Sequence, residues 1–213
     1  MGQRTMKSIN FDILSKPGEF ELILIPCSCY QKKGGEMPVM KGGLLEEIVS
    51  RCPSLPTQIG KAVEQYGNCP AILSHIPGTK HPTKFATFPI SPTSLRAENP
   101  DDYIFHRLKG RFPKYKLLPG WTLLPRSDML EFAAIKLAEI IKYYKLTMVA
   151  LPFELFTLDP EDKKETERIL GIIGRIVTEG LYIVHRPEES SQGTVRNNIV
   201  TSQVYYEEGE TDA

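Results

Sequence analysis

Met40-Lys41-Gly42-Gly43-Leu44-Leu45-Glu46-Glu47-Ile48 is the stretch that decides the fold. Apolar residues recur at 44, 45, 48 and 49, which is a helical spacing, so residues 43–52 are predicted to form a helix that ends before Pro53. Because the free N–H groups at a helix N-terminus attract anions, Gly42 and Gly43 are candidate ligand-contacting residues. The alternative is that the two glycines only relax the steric limits at the start of the helix.

An apolar segment that precedes Met40 in the sequence predicts a buried strand. Residues 20–26 form a continuous apolar run with one charge, which is typical of a mostly parallel sheet. Further strands are predicted at 9–14, 71–76, 85–90, 147–151 and 181–185, and further helices at 57–66, 129–144 (with Ser127 as N-cap) and 160–178. This alternation predicts an α/β fold with the sheet covered on both faces and ligands at the carboxyl ends of the strands.

Residues 91–127 interrupt the alternation. They are rich in proline, charge and aromatic residues, and we interpret them as an insertion or long loop beside the site. Their segment 106–116 contains five basic residues together with Phe112 and Tyr115, which is a candidate surface for nucleic acid. A solvated loop is the alternative.

Composition excludes several classes of protein. The 213 residues carry 26 basic and 26 acidic side chains, so no net charge attracts the chain to nucleic acid or an anionic membrane. No apolar run reaches the ~20 residues of a membrane span, and no signal-peptide core is present, so a cytoplasmic protein without a membrane partner is expected. The four cysteines are expected to be reduced thiols. No metal-binding spacing, Walker loop or nucleophile elbow occurs, so we predict no metal or cofactor and leave catalytic residues unassigned.

The order of these segments resembles the macro domain, a family of ADP-ribose-binding and ADP-ribose-cleaving modules. The resemblance spans roughly residues 9–186 and lies in these short matches: Asn10-Phe11-Asp12-Ile13-Leu14, Ile25-Pro26-Cys27-Ser28-Cys29, Met40–Leu44, Phe88-Pro89, Trp121 with Arg126-Ser127-Asp128-Met129-Leu130, and Ala150-Leu151-Pro152 with Leu158-Asp159-Pro160-Glu161. It implies a three-layer α/β/α fold with a mixed, mostly parallel sheet and a long insertion before the long helix. The domain would cover residues 1–186, followed by a polar, partly disordered tail at 187–213.

The resemblance also implies a binding site. Asp12 would receive the adenine amino group, and its neighbour Ile13 is a further candidate ligand-binding residue. Gly42, Gly43 and Leu44 would form the first phosphate loop. Ser28 and Lys41 would lie on the side of the distal ribose. Asp12 and Ser28 each have an alternative role, as a turn-capping carboxylate and as a strand-end hydroxyl respectively. Lys41 could reach a phosphate, and its alternative is a solvated side chain.

Two departures limit the function that the resemblance implies. Ser28 stands where the family usually has an asparagine, and Phe153-Glu154-Leu155-Phe156-Thr157 replaces a glycine-rich second phosphate loop. Glycines let backbone N–H groups close on a diphosphate, and these side chains resist the positive φ that such a loop needs.

Our hypothesis is a divergent macro-like domain that binds ADP-ribose or a related nucleotide. Hydrolysis of an ADP-ribose linkage on nucleic acid or protein is left open, so the sequence does not decide whether the chain is an enzyme. The first alternative is an inactive interaction module that presents Phe153, Leu155 and Phe156 as a contact surface. The second is an accessory protein that binds nucleic acid through residues 106–116.

Overall fold

The computed structural model describes residues 6–16, 18–32, 34–37, 43–75, 83–157 and 163–187. Strands and helices alternate along most of this chain. In order they are β1 (Lys7–Asn10), β2 (Leu22–Ser28), α1 (Gly43–Arg51), α2 (Leu55–Tyr66), β3 (Ile72–His75), β4 (Lys84–Ser91), β5 (Ser94–Arg96), β6 (Leu117–Pro119), α3 (Ser127–Tyr144), β7 (Val149–Pro152), α4 (Phe153–Phe156), α5 (Lys163–Ile176) and β8 (Leu181–His185).

A six-stranded sheet organises the molecule, with strand order β1-β8-β7-β2-β4-β3. Every neighbouring pair is parallel except β3 and β4, which are antiparallel. The predicted α/β fold with a mixed, mostly parallel sheet is therefore confirmed. The carboxyl ends of five strands meet at one edge, where a parallel sheet places its ligands.

The apolar run predicted as a buried strand forms the centre of the sheet. Leu22, Ile23, Leu24 and Ile25 of β2 are 0% exposed, since β7 and β4 flank the strand. Burying each such side chain contributes roughly 1.5–3 kcal/mol before the entropy cost of ordering it. The core therefore fixes β2, and with it the position of Ser28 at the end of this strand.

Helices cover the sheet through their apolar stripes. The buried residues of α3 recur at helical spacing, and α3 packs against α5 and β4, while α2 packs against β3 and β4. Ser127 is the first residue of α3 and not its N-cap, which is Arg126. The Ser127 hydroxyl instead accepts a hydrogen bond from Arg168 Nη1 at 2.6 Å. Among the helices of the described ranges, none is long and apolar enough to cross a membrane.

The stretch predicted as a long loop at 91–127 has structure of its own. Strands β5 and β6 pair in antiparallel fashion, and three short 3-10 turns lie at Pro100–Asp102, His106–Leu108 and Gly120–Thr122. A separate apolar cluster lies beneath them, formed by Ala97, Ile104, Phe105, Leu108, Leu118 and Leu123. Strands of three residues are too short for periodicity to reveal, so this small core was missed.

Candidate functional site

The candidate site lies along the carboxyl edge of the sheet. Strands β1 and β8 are neighbours, with Asn10 opposite His185, and the Phe11 N–H donates to the His185 carbonyl at 2.8 Å. Asp12 is the second residue after the end of β1, and Arg186 directly follows β8. The topology therefore places an acidic and a basic side chain next to each other at this edge.

Asp12 shapes the turn that leaves β1. Its Oδ1 accepts hydrogen bonds from the Leu14 N–H at 3.0 Å and the Ser15 N–H at 3.3 Å. Burial raises the pKa of Asp12, but these bonds, the Ser15 hydroxyl and the charge of Arg186 together outweigh it and lower the pKa. Asp12 is therefore an ionised acceptor, and the turn role considered as its alternative does occur.

A small pocket opens at this turn. It is lined by Phe11, Asp12, Ile13, Leu44, Glu154, Val184 and Arg186. Three of the predicted site residues thus lie together, Asp12, Ile13 and Leu44, with the last two contributing apolar walls. Gly43 precedes Leu44 at φ 75°, a conformation that favours glycine, whereas Lys41 and Gly42 lie outside the described residues.

Arg186 is the site residue that sequence reasoning missed. Its guanidinium donates to both carboxylate oxygens of Glu47 on α1, from Nη1 at 2.7 Å and from Nη2 at 2.9 Å. The bond with Glu47 raises the pKa of Arg186, and the charges of Glu154 and Asp12 add to the effect. The only signal in the sequence was its position directly after a predicted strand.

The second phosphate loop of the resemblance is replaced by the short helix α4. Leu155 is 6% exposed and Phe156 is 0% exposed, and the Phe156 ring lies 5.7 Å from that of Phe88. Phe153 packs against the His185 ring at 4.5 Å between centroids. The contact surface predicted from Phe153, Leu155 and Phe156 was therefore wrong for two of its residues, because Leu155 and Phe156 are buried in the core, whereas Phe153 is half-buried. Glu154 is the α4 residue that reaches the pocket.

Ser28 lies farther along the same edge and does not line the pocket. A bulge between Cys27 and Ser28 interrupts the pairing with β4, and the Ser28 hydroxyl accepts a hydrogen bond from the Tyr30 N–H at 3.4 Å. Its neighbour Cys27 is buried, and burial raises the pKa of this thiol far above its ordinary value, so it is a poor nucleophile. Within the described ranges, no group of three or more His, Cys, Asp or Glu side chains could hold a metal ion.

Solved structures with this architecture identify the fold. The chain is 16% identical to the macrodomain of Mycobacterium tuberculosis DarG, over 85% of this chain and 97% of that one, with a TM-score of 0.51. The macrodomain of Thermus aquaticus DarG gives the same values. Thermosipho africanus DarTG in complex with ADP-ribose is 14% identical, over 80% of this chain and 39% of that one, with a TM-score of 0.50.

No protein-family model and no curated protein matches the sequence. At identities this low, the comparison rests on the shared arrangement of strands and helices, and it establishes the fold alone. Ser28 and α4, where the sequence differs from the motifs of the macro domain, lie within this shared arrangement of strands and helices. The chain therefore has the fold of the macrodomains, as the resemblance of its sequence predicted.

Proposed function

We propose that this chain binds ADP-ribose or a related nucleotide along the carboxyl edge of its sheet. The observation that carries the proposal is the order of groups at that edge: Asp12 after β1, Arg186 after β8, α4 after β7 and Ser28 at the end of β2. Three strand spacings separate β1 from β2, a span of about 14 Å that suits an elongated ligand. The presence of ADP-ribose in the Thermosipho africanus structure supports this ligand class.

In the proposed complex, adenine lies at Asp12. The turn bonds from Leu14 and Ser15 reach Oδ1, so Oδ2 is the oxygen that accepts a hydrogen bond from the adenine amino group. Ile13 and Leu44 provide the apolar walls that a purine ring needs. The ionised state of Asp12 favours this bond, because a charged acceptor strengthens a hydrogen bond.

The diphosphate lies beside Arg186 and the start of α1. Because α4 has no glycine-rich loop, the backbone N–H groups that would close on a diphosphate from that side are missing. Arg186 lies between the two ends of the ligand and offers paired N–H donors that match phosphate as well as carboxylate. In this proposal the ligand displaces Glu47 from Arg186, and the exchange costs part of the binding energy.

A base-swap experiment tests the adenine contact without breaking the turn. In Asp12→Asn, the amide oxygen still accepts from Leu14 and Ser15, while the amide nitrogen replaces the acceptor Oδ2 with a donor. We expect calorimetry to show that the variant binds ADP-ribose about tenfold or more weakly. The same variant should bind the hypoxanthine analogue, whose 6-oxygen is an acceptor, at least as well as the wild type does.

The thermal unfolding of Asp12→Asn is the control, and it should match that of the wild type within a few degrees. A variant that binds both nucleotides as the wild type does would remove Asp12 from the site. A wild type that binds neither nucleotide would contradict the proposed function itself.

Hydrolysis of an ADP-ribose linkage is a further activity that we propose to test, on ADP-ribosylated nucleic acid and protein. Among the described residues, the pocket is lined by the carboxylates of Asp12 and Glu154 and by no histidine or serine, and we assign no general base. Catalysis on this site would rest on positioning of the substrate by the loops more than on proton transfer.

Nucleic acid is the second candidate ligand, through residues 106–116. Lys109, Arg111, Lys114 and Lys116 are exposed, which favours contact with phosphate. However, acidic groups lie among them: the Gly110 N–H donates to Asp101, and the Tyr115 hydroxyl donates to Glu98. Binding of single-stranded DNA that weakens steeply with salt, and is lost in Lys114→Glu/Lys116→Glu, would support this candidate; salt-independent or absent binding would contradict it.

A further inference from the structure

Helix α3 carries an unusual share of exposed apolar surface. Eight large hydrophobic residues are exposed in the described part of the chain, and four of them lie on this helix: Phe132, Ile135, Tyr143 and Tyr144. Phe132 is 40% exposed, Ile135 48% and Tyr143 79%. The opposite face of α3 is buried against the sheet and α5, so packing within the chain does not account for these side chains.

Three of these side chains, Phe132, Ile135 and Tyr143, lie in one continuous stripe. At about 100° per residue, positions 132, 135, 136, 139, 140 and 143 fall within an arc of about 140° on the helix. The stripe therefore holds Phe132, Ile135, Lys136, Glu139, Ile140 and Tyr143. Ile140 is half-buried at its border, and Lys136 bonds Glu139 within the chain at 2.8 Å.

The stripe is complementary to itself when it is reversed. Around a point midway between residues 137 and 138, Phe132 mirrors Tyr143 and Ile135 mirrors Ile140, while Lys136 mirrors Glu139. Two copies of α3 packed antiparallel therefore place aromatic on aromatic, isoleucine on isoleucine and ammonium on carboxylate. A two-fold interface has this property, since residue i contacts residue j and residue j contacts residue i.

We propose that this chain forms a two-fold dimer through the exposed stripe of α3. Each Lys136 exchanges its bond within the chain for Glu139 of the second copy. These two contacts lie nearest the axis, and the isoleucine and aromatic pairs lie outside them. Glu131 lies beside the stripe and forms an ion pair with Arg175 of the same chain, so these two charges are already paired. The partner is a second copy because, in an antiparallel arrangement, Lys136 of each copy faces Glu139 of the other.

Charge reversal at Lys136 and Glu139 tests the dimer. Loss of fold stability could weaken dimerisation in each variant, but it could not restore a dimer when the two variants are mixed. In Lys136→Glu alone, both contacts become carboxylate against carboxylate, and in Glu139→Lys alone both become ammonium against ammonium. We expect sedimentation velocity over a concentration series to show the wild type dimerising and each single variant dimerising about tenfold or more weakly. An equimolar mixture of the two variants should restore the dimer as a heterodimer, visible by native mass spectrometry.

Lys61→Glu is the matched control, since it makes the same change in net charge at an exposed position on α2. It should leave dimerisation unchanged, and thermal unfolding should show all variants folded. A wild type that stays monomeric at every concentration would overturn the proposal. So would single variants that dimerise like the wild type, or a mixture that forms no heterodimer.

Discussion

Glu154 opposes the ligand that we propose. Its carboxylate lines the same pocket as Asp12 and Arg186, where it attracts the arginine and would repel a diphosphate. We predict that Glu154→Gln binds ADP-ribose about fivefold more tightly, because the change removes a carboxylate that would repel the diphosphate. Calorimetric titration of the variant measures the effect.

Glu64→Gln, at an exposed position on α2, is the control for the loss of one negative charge and should bind as the wild type does. Weaker binding by Glu154→Gln than by the wild type would contradict a diphosphate at this position. It would favour a ligand with a cationic group instead.

Glu21 makes the stability of the fold depend on pH. Its Oε2 accepts hydrogen bonds from the Thr147 N–H at 2.6 Å and the Met148 N–H at 3.0 Å, next to the start of β7. Burial raises the pKa of Glu21, but these bonds outweigh it and hold the pKa below its ordinary value of 4.5. A carboxyl with a lowered pKa in the folded chain stabilises it above the unfolded pKa, and this stabilisation is lost as the pH falls through the folded pKa.

We therefore predict that the wild type loses more unfolding free energy than Glu21→Gln does when the pH falls from about 6 to about 3. Urea unfolding at each pH measures the difference. The exposed neighbour Glu19 serves as the control, and Glu19→Gln should follow the wild type. Parallel pH profiles for the wild type and Glu21→Gln would show that the Glu21 bonds do not stabilise the fold.

Residues that line the candidate pocket could be predicted from the sequence where they belong to a short local motif. Asp12, Ile13 and Leu44 belong to short matches with the macrodomains, and the structure brings all three to one pocket. Arg186 belongs to no such match. Its place beside Asp12 follows from the pairing of β1 with β8, the first and last strands among the described residues. A long-range pairing of this kind leaves no local signal.

At the scale of elements, α2 packs unusually closely against residues that follow β2. A Cβ on Gly60 of α2 would come within 1.7 Å of the Gly35 carbonyl oxygen, and the Gly60 carbonyl accepts from Gln31 Nε2 at 2.5 Å. We predict that Gly60→Ala destabilises the fold by about 1–3 kcal/mol, although alanine is the better helix former. Thermal or urea unfolding measures the change.

Gly171 of α5 provides the opposite case, because a Cβ there would meet no atom within 4 Å. Gly171→Ala should stabilise the fold by about 0.5–1 kcal/mol through helix propensity alone. If both variants shifted stability in the same direction, the close contact between Gly60 and Gly35 would not explain the result.

Long elements were easier to predict than short ones. Helix α3 matches its prediction closely because its 18 residues show the helical period. The strand Leu181–His185 matches because Gly180 marks its start. Helix α4 has four residues, about one turn, which cannot show a helical period. Residues 153–157 therefore resembled a loop with exposed apolar side chains, although Leu155 and Phe156 belong to the core.

At the scale of the whole molecule, the described part of the chain has two apolar cores, one around the main sheet and the other beneath β5 and β6. Leu118 is 0% exposed in the smaller one, and its neighbour Leu117 is 55% exposed. We predict that Leu118→Ala costs the insertion about 2–5 kcal/mol. Hydrogen exchange should show amides at 94–123 losing protection while those of β2 keep it.

Leu117→Ala should leave exchange unchanged in both regions. A loss of protection that spreads equally over β2 and the insertion in Leu118→Ala would show that the two cores unfold as one unit. In that case the insertion would be part of the main fold and not an addition to it.

The alternation of strands and helices made the overall fold predictable, because few topologies accommodate it. The order of strands in the sheet and the small core of the insertion were not predictable, since both depend on contacts between segments far apart in the sequence. The same limit applies to the proposed function, where the position of Arg186 relative to Asp12 decides how a diphosphate would lie.

The most direct test of the account is a titration of the wild-type chain with ADP-ribose, followed by backbone amide chemical shifts. We predict saturable shifts that concentrate at Phe11–Leu14, at Gly43–Leu45 and at Arg186, with little change at 94–119. Shifts that are absent at saturating nucleotide, or that concentrate at 106–116, would contradict an ADP-ribose site at the carboxyl edge of the sheet.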